Sequence, residues 1–289
     1  MNIDLNFENL SERAIQYNAR ASVANFDACM IEYAELAQQA RLQTPGIYDL
    51  RYGMASAERL DLFPSCVQPA PLMIFIHGGY WHSQSKENAC SMAAAFCRHG
   101  VAVATLEYTL APEATLPEIV HEVRSAIAWL YYHGEQFGID PTRIFVSGSS
   151  AGGHLCGMLL AEGWHNRYRL PTNAIKGVMA MSGLYDLRPL CDIYVNDWLH
   201  LTPEQAQNFS PIFLLPAKIH APKVLLSVGA KETLGFKNQT YAYYEACCER
   251  GLDVQLLADH HSNHFTLVNT LANPEDLMFQ HVMEMIDLT

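Results

Sequence analysis

The sequence predicts an α/β fold: one domain over residues 1–289, built on a mostly parallel central sheet with helices on both faces. Two observations predict it. From residue 72 onward, short apolar runs rich in β-branched residues alternate with stretches of helical periodicity. Those runs are apolar almost throughout, as strands buried on both faces must be. Half of the residues are apolar, which supplies a core of the required size.

Each element follows from its pattern. Residues 9–42 read as helix, because "LSERAIQYNAR" and "FDACMIEYAELAQQARL" place apolar groups every three or four positions, with Ser11 as a candidate cap. Residues 1–45 are therefore expected to form a helical cap. Between Pro45 and Pro64, "IYDLRYG" and "ERLDLFP" alternate apolar and polar, the mark of a hairpin. "LMIFIHGG" is a buried strand, and "ENACSMAAAFCRHG" reads as an amphipathic helix ending at Gly100. "VAVATLEY" is the next strand, and residues 117–137 form a helix with Pro117 in its first turn. "RIFVSG", helix 151–162 and "IKGVMAMSG" continue the alternation. So do "KVLLSVG", helix 237–250, "DVQLLADH" and helix 274–287. Segment 184–221 is long and proline-rich for a connection, which marks it as a lid or pocket wall.

Composition narrows the function classes. Thirty acidic against 18 basic side chains leave a net charge of −12, which repels phosphate backbones and anionic lipid. Neither nucleic acid nor membrane is an expected partner. No stretch reaches the roughly 18 apolar residues that span a bilayer, and the N-terminus lacks the basic and apolar regions of a secretory signal. The eight scattered cysteines include no C-x-x-C pair, so reduced thiols in a cytoplasmic protein are expected. The sequence fixes no oligomeric state; a homodimer stays open.

The chemistry concentrates in "FVSGSSAGGH", residues 145–154. Gly148, Ser150 and Gly152 fit G-x-S-x-G directly between a strand and a helix. That is the setting of a nucleophile elbow, whose sharp turn lifts the serine above the sheet. Ser147 and Ser149 lack flanking glycines and are read as satisfying local backbone groups. A serine hydroxyl needs a base, itself oriented by a carboxylate, and in this chain order the acid and then the histidine follow later strands. Glu232 is the one carboxylate between strand "KVLLSVG" and the next helix. Among His260, His261 and His264, the last sits deepest in its loop and is the expected base. Three histidines so close also invite a zinc reading, but no HExxH or cysteine cluster accompanies them, and no metal or cofactor is expected. "HGGYW" at 77–81 supplies a turn whose Gly78, Gly79 and Tyr80 backbone, with the N–H of Ala151, would form an oxyanion hole. His77 is read as hydrogen-bonding within that turn. Tyr80, Trp81, Tyr185 and Trp198 are either pocket walls or core aromatics. Asp186 either grips a polar substrate group or caps a helix.

With these residues placed, the sequence resembles the α/β-hydrolase superfamily and its hormone-sensitive-lipase-like branch, through "HGGYW", "EYTLAP" and "GSSAGGHL". It is more narrowly similar to the kynurenine formamidase (arylformamidase) group, through "SGLYDLRPL", "NFSPIFLLP", "VGAKETLGFKNQT" and the N-terminal "YNAR". The resemblance implies a serine hydrolase with Ser150, Glu232 and His264 as its triad and a small acyl compound as its substrate. An aryl-formamidase, another small-ester or amide hydrolase, and a non-catalytic binding protein on the same scaffold are the three readings. The complete triad argues against the third.

Overall fold

A computed structural model of the chain describes residue 7 and residues 9–287; the remainder of the expected cap segment 1–45, residues 1–6 and 8, lies outside them. Among the described residues one sheet holds eight strands: β1 Ile47–Arg51, β2 Arg59–Phe63, β3 Ala70–Ile76, β4 Ala102–Leu106, β5 Ile139–Ser149, β6 Ile175–Met181, β7 Lys223–Ser227 and β8 Val254–Leu257. Their spatial order is β1-β2-β4-β3-β5-β6-β7-β8. The β1–β2 and β2–β4 pairs are antiparallel and all the others parallel. The hairpin thus joins the sheet as its antiparallel edge.

Strand β3 shows why two helical layers are needed. All seven of its residues are buried. Leu72, Ile74 and Ile76 enter one core with α4 (Leu116–His133), α5 (Ala151–Leu160) and α8 (Leu234–Glu249). Met73 and Phe75 point to the opposite core, with α2 (Phe26–Gln43), α3 (Ala93–Arg98) and α9 (Leu277–Asp287). Helix α4 starts where the sequence says it should. Thr115 and Glu118 form a capping box, with the Thr115 N–H donating to Glu118 Oε2 at 2.7 Å, and Pro117 follows the cap.

The cap region holds two helices, α1 (Leu10–Gln16) and α2, separated by a loop. Ser11 does not cap the first. Asn9 does, its Oδ1 accepting from Glu12 N at 2.9 Å, and Asn25 caps α2 in the same way. Asn is as strong an N-cap as Ser and here immediately precedes the apolar residue that opens each helix. The expected helix ending at Gly100 shrinks to six residues. Ala93–Cys97 are all buried, so an amphipathic helix has no exposed face to offer there. Helix α8 begins three residues early, behind the cap position of Thr233.

A polar cluster fastens the cap to the sheet. Asp61 on β2 is fully buried and takes Arg41 of α2, Lys86 Nζ at 2.8 Å and the Asp49 N–H at 3.0 Å. Segment 184–221 is a chain of short helical turns, including α6 (Asn196–Leu199) and α7 (Pro203–Asn208). Among the described residues no helix is long and apolar enough to cross a membrane. All eight cysteines are free thiols.

Candidate active site

The residues of interest all leave the carboxyl ends of parallel strands, where open α/β sheets bind ligands. Ser150 stands between the last residue of β5 and the first of α5, at φ 58° and ψ −119°. That backbone is strained for a residue with a Cβ. Its neighbours leave the turn no other shape. A Cβ on Gly152 would lie 2.0 Å from Ile76 O, and one on Gly148 would lie 2.5 Å from Gly152 O. The Ser150 N–H donates to Met181 O at 2.9 Å, tying the turn to β6.

His264 and Glu232 meet as a buried pair, with Nδ1 2.6 Å from Glu232 Oε2. Nδ1 therefore carries a proton toward the carboxylate, which leaves Nε2 as the basic nitrogen. The other carboxylate oxygen accepts from the Gly229 N–H at 2.7 Å and from the Ser182 hydroxyl. His260 and His261 are exposed, whereas His264 is 5% exposed; burial separates the three. Among the described residues no group of three or more His, Cys, Asp or Glu side chains is arranged around a common point. Ser149 shares the cavity wall with Ser150. The Ser147 hydroxyl is buried without a hydrogen-bond partner among the described residues, so it does not satisfy the backbone as the sequence reading had it.

The His-Gly-Gly turn lies directly against the serine. A Cβ on Gly78 would meet Ser149 O at 2.7 Å and Ser150 Cβ at 3.1 Å. Gly79, Tyr80 and Trp81 then adopt three successive left-handed conformations, φ 85°, 52° and 57°. The turn is braced from behind. Tyr108 donates its hydroxyl to His77 O and Gly78 O at 3.0 and 3.2 Å. The His77 ring stacks on Tyr108 and reaches Gly78 O and Glu107 Oε1 at 3.1 and 2.9 Å. The N–H groups of Gly79 and Tyr80 donate to no atom among the described residues. Ala151, first in α5, has no helical acceptor for its own N–H.

Serine, histidine and turn line one cavity of about 680 Å³, walled by Phe26, Tyr33, Tyr80, Tyr194, Trp198 and Phe265 among others. Trp81, Tyr185 and Asp186 do not line it. Trp81 packs edge-on against His154, Tyr185 stacks on Tyr243 at 4.0 Å, and buried Asp186 pairs with Arg188. Each is held by packing or pairing that points it away from the cavity. Of the four aromatics read as wall or core, Tyr80 and Trp198 are wall.

Residues 60–234 match the BD-FAE family model, more than half of the chain. The chain belongs to the BD-FAE family. A kynurenine formamidase from Danio rerio is 31% identical over 255 residues, covering 86% of this BD-FAE chain and 85% of its own length. A kynurenine formamidase from Drosophila melanogaster is 24% identical, covering 77% and 76%. A Silicibacter protein proposed to be a thioesterase superposes with a TM-score of 0.81 at 28% identity, over 93% of this chain and 98% of that one. Esterase B of Lactobacillus rhamnosis, at 17% identity, has a TM-score of 0.71 over 94% and 96%, which shows the shared fold. This BD-FAE member is an α/β hydrolase of the serine-hydrolase type, similar to the kynurenine formamidases.

Sequence reasoning missed several residues of the BD-FAE site. Ser182 opens "SGLYDLRPL", which gives it no role, yet it holds Glu232. Asp259 accepts from Ala230 N at 2.7 Å and from Ser262 N and Oγ at 2.9 and 2.6 Å, so it joins the acid loop to the histidine loop. Burial alone would raise its carboxyl, but the Ser262 hydroxyl and these N–H groups hold it below the usual range. Arg20, Phe26, Met30 and Tyr33 reach the cavity from the cap. The helical pattern announced the cap, but nothing in it announced which face meets the site.

Proposed function

We propose that the chain hydrolyses an aromatic N-formyl compound of the N-formylkynurenine type through a formyl-enzyme. Ser150 Oγ attacks the formyl carbonyl as His264 Nε2 takes its proton, and Glu232 holds Nδ1–H and steadies the imidazolium. The oxygen that gains charge turns toward the N–H groups of Gly79, Tyr80 and Ala151, a stabilisation of about 3–4 kcal/mol per donor lost in comparable sites. His264 returns the proton to the aniline nitrogen, which leaves as a neutral amine. Water, deprotonated by the same Nε2, then attacks the Ser150 ester and releases formate.

The observation that carries this reading is the cavity. Its aromatic walls end on Ser150, beside the buried His264–Glu232 pair. A volume of about 680 Å³ suits a ring with a short polar arm. The similarity to the kynurenine formamidases supports the formyl substrate. A second reading, a small ester or thioester, is supported by the Silicibacter relative.

The test is kcat/KM on N-formyl-L-kynurenine beside p-nitrophenyl acetate, with Ser150→Ala as the blank. A formamide preference of several orders of magnitude is the expected result. Cleavage of the activated ester with almost none of the formamide would refute the formyl substrate and leave the triad standing. Full activity in Ser150→Ala would refute the nucleophile itself.

A further inference from the structure

The chain carries a net charge of −12, yet no Asp or Glu lines the cavity, and Arg20 is its one Lys or Arg among the described residues. An acidic surface repels anions at long range, so an arginine at this opening reverses the local sign where a substrate must pass. Asp27 stands in the adjoining surface recess that Arg20 also borders, outside the cavity lining.

The arginine is held in place by its surroundings. Its guanidinium lies 4.5 Å over the Phe26 ring. Phe26 meets Phe265 edge-on at 4.9 Å, and Phe265 in turn meets His264 at 5.2 Å. Stacking occupies the face of a guanidinium and leaves the N–H groups of its edge free, the geometry for a two-pronged grip on a carboxylate. Among the described residues no carboxylate takes that grip in the free protein. The loop is fixed as well. Asn18 Oδ1 accepts from Ala21 N at 3.0 Å, the Ser22 hydroxyl donates to Ala19 O at 2.7 Å, and Tyr17 O accepts from Tyr80 and Tyr194.

We infer that Arg20 is a specificity residue that binds a carboxylate on the leaving-group side of the substrate. Acyl compounds whose amine or alcohol portion ends in a carboxylate are selected over neutral ones. This rests on Ser150 being the nucleophile of the cavity; it does not require that the acyl group be formyl.

The test uses two aryl acetates that differ only at the end of a short ortho side arm, one a carboxylate and the other a carboxamide. Their kcat/KM ratio is measured for the wild type, Arg20→Gln and Arg20→Lys, with thermal unfolding as a check on folding. The wild type should favour the carboxylate about tenfold or more, through KM, and added salt should shrink the preference. Arg20→Gln should bring the ratio near one, and Arg20→Lys should keep part of it because it retains charge without the planar fork. A wild-type ratio near one, or a ratio unchanged in a folded Arg20→Gln, overturns the assignment. Failure of the wild type to cleave either ester would refute the Ser150 reading, and this inference with it. The two failures are therefore distinct.

Discussion

His154, on the first turn of α5 after Ser150, should make the protein lose stability in mild acid. Its ring is fully buried, with Nε2 2.8 Å from Phe209 O, Trp81 edge-on at 4.9 Å, and Nδ1 without a hydrogen-bond partner among the described residues. Burial pushes the imidazole down from 6.5 to about 4, the Phe209 bond opposes that, and Arg124 adds to it. The folded protein therefore refuses a proton that the unfolded chain accepts. At pH 7 neither state holds it, and the stability is fully present. As the pH falls below 6.5 the unfolded state gains the proton first, and stability drops until the folded state also accepts it near pH 4. The gap corresponds to about 3 kcal/mol below both values and about 2 kcal/mol at pH 5. His154→Gln keeps an N–H donor for Phe209 O and removes the titration. Urea unfolding of both proteins at pH 7 and pH 5 isolates the effect. The wild type should lose about 2 kcal/mol more than the variant between the two pH values. His165 is pushed the same way, to about 4, by burial and then by Arg124, so some acid sensitivity will remain in the variant. Equal losses in the two proteins would refute the account of His154.

Other perturbations test the site and its supports. Ser182→Ala removes a hydroxyl that donates to Glu232, and should lower kcat about tenfold with KM nearly unchanged, since a hydrogen bond to a carboxylate is worth about 1.5 kcal/mol or more; a change in KM alone would refute the positioning role. Glu232→Gln leaves His264 without its carboxylate and should cost about 10³–10⁴ in kcat, read by steady-state kinetics on the best ester. Gly152→Ala places a Cβ 2.0 Å from Ile76 O and should destabilise by several kcal/mol or abolish soluble expression, read by thermal unfolding. Asp61→Asn leaves Lys86 and Arg41 beside a neutral side chain and should cost about 3 kcal/mol in urea unfolding.

What the sequence disclosed, it disclosed through local rules. β3 is legible because strands buried on both faces are apolar at every position, and α4 because Thr115, Pro117 and Glu118 spell a helix start. Ser150 is legible because the strand–turn–helix context and its two glycines are contiguous in the chain. His264 is partly so: three histidines share the loop, and only burial beside Glu232 separates it from His260 and His261. Ser182 and Arg20 fall inside the stretches "SGLYDLRPL" and "YNAR", yet no local rule gives either a role, and Asp259 belongs to no such stretch; Ser182 and Asp259 act on residues far along the chain. Trp81, Tyr185 and Asp186 each have two readings in the sequence, and no local rule chooses between them. Trp81 and Tyr185 pack into the core, and Asp186 accepts from the Arg188 N–H and pairs with its guanidinium.

The cap is best understood as a brace for the His-Gly-Gly turn. Three successive left-handed residues, two of them Tyr80 and Trp81, cost about 1 kcal/mol or more for each that is not glycine, so something outside the turn must hold them. The holding point is Tyr17, just past α1. Its carbonyl accepts from the Tyr80 hydroxyl at 2.6 Å and the Tyr194 hydroxyl at 3.0 Å, so turn, cap and segment 184–221 meet on one oxygen. Trp198 closes the loop by donating Nε1–H to Tyr80 O at 3.1 Å. On the acid side, the Thr233 hydroxyl donates to Gln16 O, and Gln239 donates to the Tyr17 hydroxyl at 2.9 Å. One residue of the cap is thus bonded to the turn at Gly78–Tyr80 and, through Gln239, to the helix that follows Glu232. A cap hinged freely over the site would have to break these bonds at each opening. The cavity wall at Tyr80 is therefore preorganised.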